Sequence, residues 1–359
     1  MKLKQAKNIL AAAALLALPI AFTSCEDVLG HWEKPAAAAA AANAAVTVDL
    51  SSVTSDYVAQ NNTVLTGTLA ANVKISIADG ATVTLKDLTI NGVNDKAYLW
   101  AGITAEGDAT IILEGENYVK SFCETYPGIF IAADKTLTIK GDGKLTATAD
   151  YGTGIGAANY YDSNTSTTYK YPCGNIVIES GTIIATGTGH GNGIGGYNAC
   201  NNGDITINGG TVTATGGLVG IGSGQSATGG KITITGGTVT AKGSGGPGIG
   251  ASGTSVCGDI TITGGTVDAE STGQAPSGIG VNNATCGNIT ITNTVTKVTA
   301  TKGSMPTVTS KYCIGKSRSS DSGTCGTITI GGVVYYNGTS WSSTDLENQQ
   351  KQATFIYQP

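Results

Sequence analysis

A stretch from Cys257 to Gly280, CGDITITGGTVDAESTGQAPSGIG, recurs in variant form along most of this chain and leaves few folds open to it. It reads as three short extended pieces. In the first, Ile260 and Ile262 alternate with Thr261 and Thr263, the period of two of a strand with one buried face. Gly264 and Gly265 then permit a sharp corner, because glycine takes positive φ freely. Val267 and Ala269 are the inward residues of the second piece. After a polar bend comes the third, Gly278-Ile279-Gly280, with one apolar residue between two glycines.

The third-piece isoleucine recurs at Ile75, Ile103, Ile129, Ile155, Ile194, Ile221, Ile249, Ile279 and Ile314, with successive copies 26 to 39 residues apart. A period of this size marks a repeat architecture. One copy has too few apolar residues to bury a core alone, so neighbours must stack. Helical solenoids need amphipathic helices, whereas these copies consist of Thr, Ile, Val and Gly. The expectation is an all-β chain: a right-handed parallel β-helix of about nine coils, three short strands per coil, with terminal caps. At about 4.8 Å per coil that is a rod of roughly 40 Å. Residues 73–330 are assigned to the coils, 46–72 to an N-terminal cap and 331–359 to a C-terminal cap.

Ahead of the repeats, residues 1–24 read as an export signal: Lys2, Lys4 and Lys7, then the apolar run Ile9 to Phe22. Thr23-Ser24-Cys25 reads as a lipobox, with cleavage before Cys25 and acylation of its thiol; the alternative is an ordinary secretory signal. Residues 25–45 form an Ala-rich tether. Without residues 1–24, 25 acidic residues face 17 basic ones, a formal charge near −8. That balance disfavours nucleic acid as a partner and favours a soluble surface protein.

Chemistry-bearing residues are sparse. Cys173, Cys257, Cys286 and Cys325 each stand three residues before a first-piece isoleucine. Stacking would place Cys257 near Cys286, so a disulfide is open to them, against the preferred reading of a ladder of buried thiols. Cys313 and Cys325 are a second disulfide candidate. Neither a Cys-x-x-Cys spacing nor accompanying histidines suggests a metal, and no cofactor motif is present. Asn175, Asp204, Lys231, Asp259 and Asn288 share one register, readable as a polar ladder lining a binding corner or as a solvated rim. Asp204 and Asp259, two coils and about 10 Å apart, only marginally suit paired-carboxylate glycoside hydrolysis. No catalytic constellation emerges.

Two insertions carry more. Ala157–Tyr171 holds Tyr160, Tyr161, Asp162, Asn164, Tyr169 and Tyr171, with Tyr151 just before it. Sugars stack on aromatic rings and hydrogen-bond amides and carboxylates, which makes this the leading ligand-binding candidate; the alternative is tyrosines packing a long loop onto the rod. Lys302–Thr324 holds Lys302, Lys311, Lys316 and Arg318, a secondary candidate for an anionic glycan, with solvated loop charge as its alternative.

The alternation of GDITI-type strands, GGTVTA and GxGIG over residues 100–330, with GDATIILEGENYV at 107–119, resembles secreted and surface β-helix proteins of gut bacteria, described as adhesin-like or carbohydrate-binding domain proteins. Glu26-Asp27 after Cys25 resembles the surface-export signal of Bacteroidota lipoproteins. The resemblance implies an outer-membrane, surface-displayed lipoprotein that binds a glycan or extracellular matrix ligand without catalysis. It transfers no site residues. A β-helical polysaccharide lyase or hydrolase and a structural spacer remain the alternatives.

Overall fold

A computed structural model describes residues 44–273, 277–304, 312–317 and 323–359. Cys25, the tether up to residue 43, Lys311 and Arg318 lie outside the described residues. From Val46 onward the chain winds as a right-handed parallel β-helix. First-piece strands such as Ile205–Ile207, Ile232–Ile234 and Ile260–Ile262 stack in parallel, as do second-piece strands Thr211–Gly216, Thr238–Gly243 and Thr266–Ser271. Both series belong to one long sheet because the strand Ala81–Asn91 runs through the corner and pairs with each. Third-piece strands form a separate sheet of ten.

Register is set by the core. Ile194, Ile221, Ile249, Ile279 and Ile314 are successive rung partners, so isoleucines far apart in the chain make one inner column. Each is fully buried. A slip by one residue would turn the column outward, so burial locks the alignment. The nine registers read from sequence become ten described rungs. Tyr57–Ala59 pairs with Ile75–Ile77, and Thr63–Thr68 pairs with Ala81–Asn91. Residues 46–72 therefore build a coil rather than only covering one, and Val46–Asp49, paired solely with Thr63–Thr68, forms the outer edge.

At the other end, chain direction reverses. Val333–Asn337 runs antiparallel to Thr327–Ile330, and Thr354–Tyr357 runs antiparallel to Lys297–Thr301. Between them the helix Thr344–Gln350 starts at Ser343, whose Oγ accepts the Leu346 N–H at 3.2 Å. Gln350 is buried, and its Oε1 accepts the Ile314 N–H at 3.2 Å. The segment thus occupies hydrogen-bonding groups that the last coil would otherwise leave open.

Corner residues tie rung to rung. Asn175 Oδ1 accepts the Asp204 N–H at 2.8 Å, and Asp204 Oδ1 accepts the Lys231 N–H at 2.7 Å. Asp259 Oδ1 accepts the Asn288 N–H at 2.8 Å, and Asn288 Oδ1 accepts the Thr327 N–H at 2.9 Å. The register read as a rim or binding corner is thus a ladder of side-chain-to-backbone bonds, broken at Lys231, which has no such oxygen. Asp204→Ala should lower stability by about 1 kcal/mol and Asp204→Asn should leave it nearly unchanged, because only the accepting oxygen matters. Urea titration of the two variants compares them; equal losses would mean that the carboxylate charge, not the hydrogen bond, is used.

The same device recurs near the N-terminal end, where Asp79 Oδ1 accepts the Asp108 N–H at 2.8 Å. That bond, then Lys135, holds the Asp79 carboxyl below its ordinary range. Lys74 does the same for Glu106. A depressed folded-state pKa adds stability above the unfolded value that disappears as pH falls through the folded one. Melting temperature should therefore be flat near neutrality and decline as pH falls below about 4.5.

Candidate functional site

The insertion of Ala157–Tyr171 folds as a β-hairpin, Ala158–Asp162 antiparallel to Thr167–Tyr171. Its turn begins at Asp162, whose Oδ1 accepts the Asn164 N–H at 2.9 Å, so these two residues shape the bend. Asn159 Nδ2 donates to the Asn198 carbonyl at 2.8 Å, fastening the hairpin to the next coil. Alternation along the strands divides the tyrosines. Tyr160 and Tyr169 are cross-strand partners with ring centroids 6.5 Å apart and planes 21° from parallel. Tyr171 lies on that same face, opposite Ala158, while Tyr161 pairs with Thr168 on the other.

The Tyr160 face turns toward the rod. Tyr160 and Tyr171 pack on a small buried cluster of Cys123, Tyr126 and Ala158. Tyr126 and Tyr171 have ring centroids 5.5 Å apart. Burial first, and the neighbouring Tyr171 phenol second, push the Tyr126 hydroxyl far above its ordinary pKa. Tyr160 and Tyr171 therefore serve the packing role weighed in the sequence, while Tyr151, Tyr161 and Tyr169 are exposed. Tyr151 lies outside the hairpin, with its ring against Gly189.

Beside the hairpin base is a cleft of about 190 Å³, lined by Lys74, Leu99, Trp100, Ala101, Thr104, Tyr126, Phe130 and Tyr171. Its floor comes from the ten-stranded sheet. Ser76, Thr104 and Phe130 are successive rung partners, alternating with the buried pairs Ile75/Ile77, Ile103/Ala105 and Ile129/Ile131. One wall is Trp100, held edge-on to Tyr98 at 5.2 Å and tilted against Phe122 at 5.8 Å. The opposite wall is Tyr126 with Tyr171. The Lys74 ammonium lies 3.1 Å from the Glu106 carboxylate. The indole N–H of Trp100 is buried without a hydrogen-bond partner. Sequence reasoning had not singled out Trp100, Tyr126 or Phe130. Phe130 did leave a signal: it is aromatic at an outward strand position where other copies carry Ser, Thr or Gly.

Of the secondary basic group, Lys302 and Lys316 lie among the described residues. Lys302 turns inward, its ammonium 2.6 Å from the Lys351 carbonyl, and its removal from water lowers its pKa. Lys316 is half-buried on the rung beside Val281. Lys311 and Arg318 fall outside the described residues.

The cysteines resolve into two settings. Cys257, Cys286 and Cys325 are successive rung partners, with Cys286 Sγ 3.0 Å from Cys325 Sγ. Toward the N-terminus, Asn202 and Gly229 replace cysteine in that column before it reaches Cys173. The disulfides considered between Cys257 and Cys286 and between Cys313 and Cys325 are not formed, and all seven described cysteines are free. Cys313 belongs to the Ile314 rung, where its thiol donates to the Gln352 carbonyl at 3.1 Å, far from the corner column in its contacts. Burial pushes the Cys173 thiol up to about 12 and raises Cys123, Cys200 and Cys313. In Cys286 the neighbouring thiols act ahead of burial in the same direction. Thiolate is the reactive form. Because all seven are buried, native protein at pH 8 should release no fast colour from them with a disulfide reagent, and denatured protein should release it from all of them.

Stacked coils of three short strands around isoleucine columns define a parallel β-helix repeat protein. In agreement, a family model described as a beta helix repeat matches residues 205–225, 232–253 and 260–280, three consecutive coils. Comparison with curated proteins and with solved structures returns no match.

Proposed function

We propose that the chain is a lipid-anchored surface protein that binds carbohydrate without cleaving it. The observation that carries this reading is a group of aromatic residues on one flank of the rod: the exposed Tyr169 stacks on Tyr160, and Tyr126 and Tyr171, which pack together at the hairpin base, line the cleft with Trp100 and Phe130. Flat rings with polar edges suit the apolar faces and hydroxyl rims of sugars. The non-catalytic half of the reading is supported by the corner acids, whose oxygens bind backbone N–H groups of the next rung. Export and acylation at Cys25 rest on the N-terminal sequence pattern and its resemblance to surface lipoproteins.

Glycan-array binding tests the first part. Tyr169→Ala, which removes the exposed ring of the Tyr160–Tyr169 stack, should weaken binding about fivefold, since a stacked ring contributes about 1 kcal/mol beyond its buried area. Polysaccharides incubated with the protein should release no new reducing ends or unsaturated products. Wild-type protein that ignores every glycan would leave a structural spacer as the better account. Fatty-acid labelling of expressing cells should be lost in Cys25→Ser.

A further inference from the structure

From the cleft we infer a subsite for a single uncharged pyranose ring at the end of the glycan, seated against the aromatic rings that line it. This inference rests on the carbohydrate-binding reading and specifies its ligand class. Two observations carry it. The first is size: about 190 Å³ is below the roughly 300 Å³ at which pockets begin to hold drug-sized molecules, so one ring fits and an oligosaccharide does not. The second is lining. Trp100, Tyr126, Phe130 and Tyr171 offer ring faces and edges, while Thr104 adds a hydroxyl.

Charge selects the class of sugar. Lys74 is the one charged residue lining the cleft, and its ammonium is already committed to Glu106 at 3.1 Å. Lys74 in turn depresses the Glu106 pKa. A uronic or sialic acid ring would have to break this pair or bring a second carboxylate beside Glu106. A neutral hexose requires neither.

The test uses the whole protein with methyl α-glucoside, methyl α-mannoside, methyl β-galactoside and methyl β-glucuronide as probes, read by saturation-transfer NMR and tryptophan fluorescence. At least one neutral glycoside should bind saturably while the glucuronide does not. Trp100→Ala removes one ring of the lining and should weaken binding about five- to tenfold. Phe130→Ala should weaken it at least about tenfold. Melting curves and glycan-array binding through Tyr169 report whether each variant is folded. Array binding that persists unchanged in both cleft variants, with no monosaccharide response, would overturn the subsite and leave the wider carbohydrate reading standing. Preference for the glucuronide would overturn the charge argument. Absence of binding to any glycan would remove both.

Discussion

Gly250→Ala should cost roughly 3–5 kcal/mol, enough to leave little folded protein at physiological temperature. Two effects combine. Gly250 has φ +137°, a conformation that side chains rarely adopt, and an added Cβ would lie inside contact distance of the Gly280 carbonyl oxygen one rung away. That oxygen is backbone in a close-packed stack and cannot yield. Gly80→Ala is the internal control. Its φ is also positive, at +74°, but nothing lies within 4 Å of the added carbon. It should therefore show only the conformational cost, about 1 kcal/mol. Urea midpoints for the two variants separate strain from collision. Equal losses would mean that rung spacing relaxes freely, contrary to a stack held on both sides.

Ile249→Ala should lose about 2–5 kcal/mol and Ile249→Val about 0.5–1.5 kcal/mol. Ile249 is fully buried between Ile221 and Ile279, so its removal opens a void in the middle of a column. Each coil touches only its neighbours, so the damage falls on the two adjoining interfaces rather than being spread through the rod. Hydrogen exchange should rise first around the Ile221, Ile249 and Ile279 strands. Uniform acceleration along the whole chain would contradict this local coupling.

Particular residues show how far the fold could be read without coordinates. The alternation Ile-Thr-Ile, the paired glycines and the isolated Gly-Ile-Gly each encode local geometry, and their recurrence encodes stacking. The rung at Tyr57–Ala59 escaped notice because tyrosine stands in the isoleucine place and no glycine flanks it. Membership of a rung there comes from pairing with Ile75–Ile77, which is a long-range fact. The hairpin was visible as an insertion. Its division was also available in principle, since consecutive residues of a strand face opposite ways, which separates Tyr160 from Tyr161.

The cleft was hidden for a different reason. Lys74, Trp100, Phe130 and Tyr171 come from four separate turns of the chain and share no motif. They meet because successive coils lie one strand spacing apart, so residues 26 to 41 positions apart become neighbours only when unequal loops end on the same flank. Likewise Asp204 and Asp259 have the residue type for catalysis, yet their oxygens hold the backbone of the next rung. The order of residues by itself determined the coil, its inner columns and its corners, because those depend on alternation and on glycine, which act over a few positions. Only the tertiary structure decided which tyrosines are buried, which acids are structural and where a cleft opens, because those depend on how loops of different length overlap across rungs.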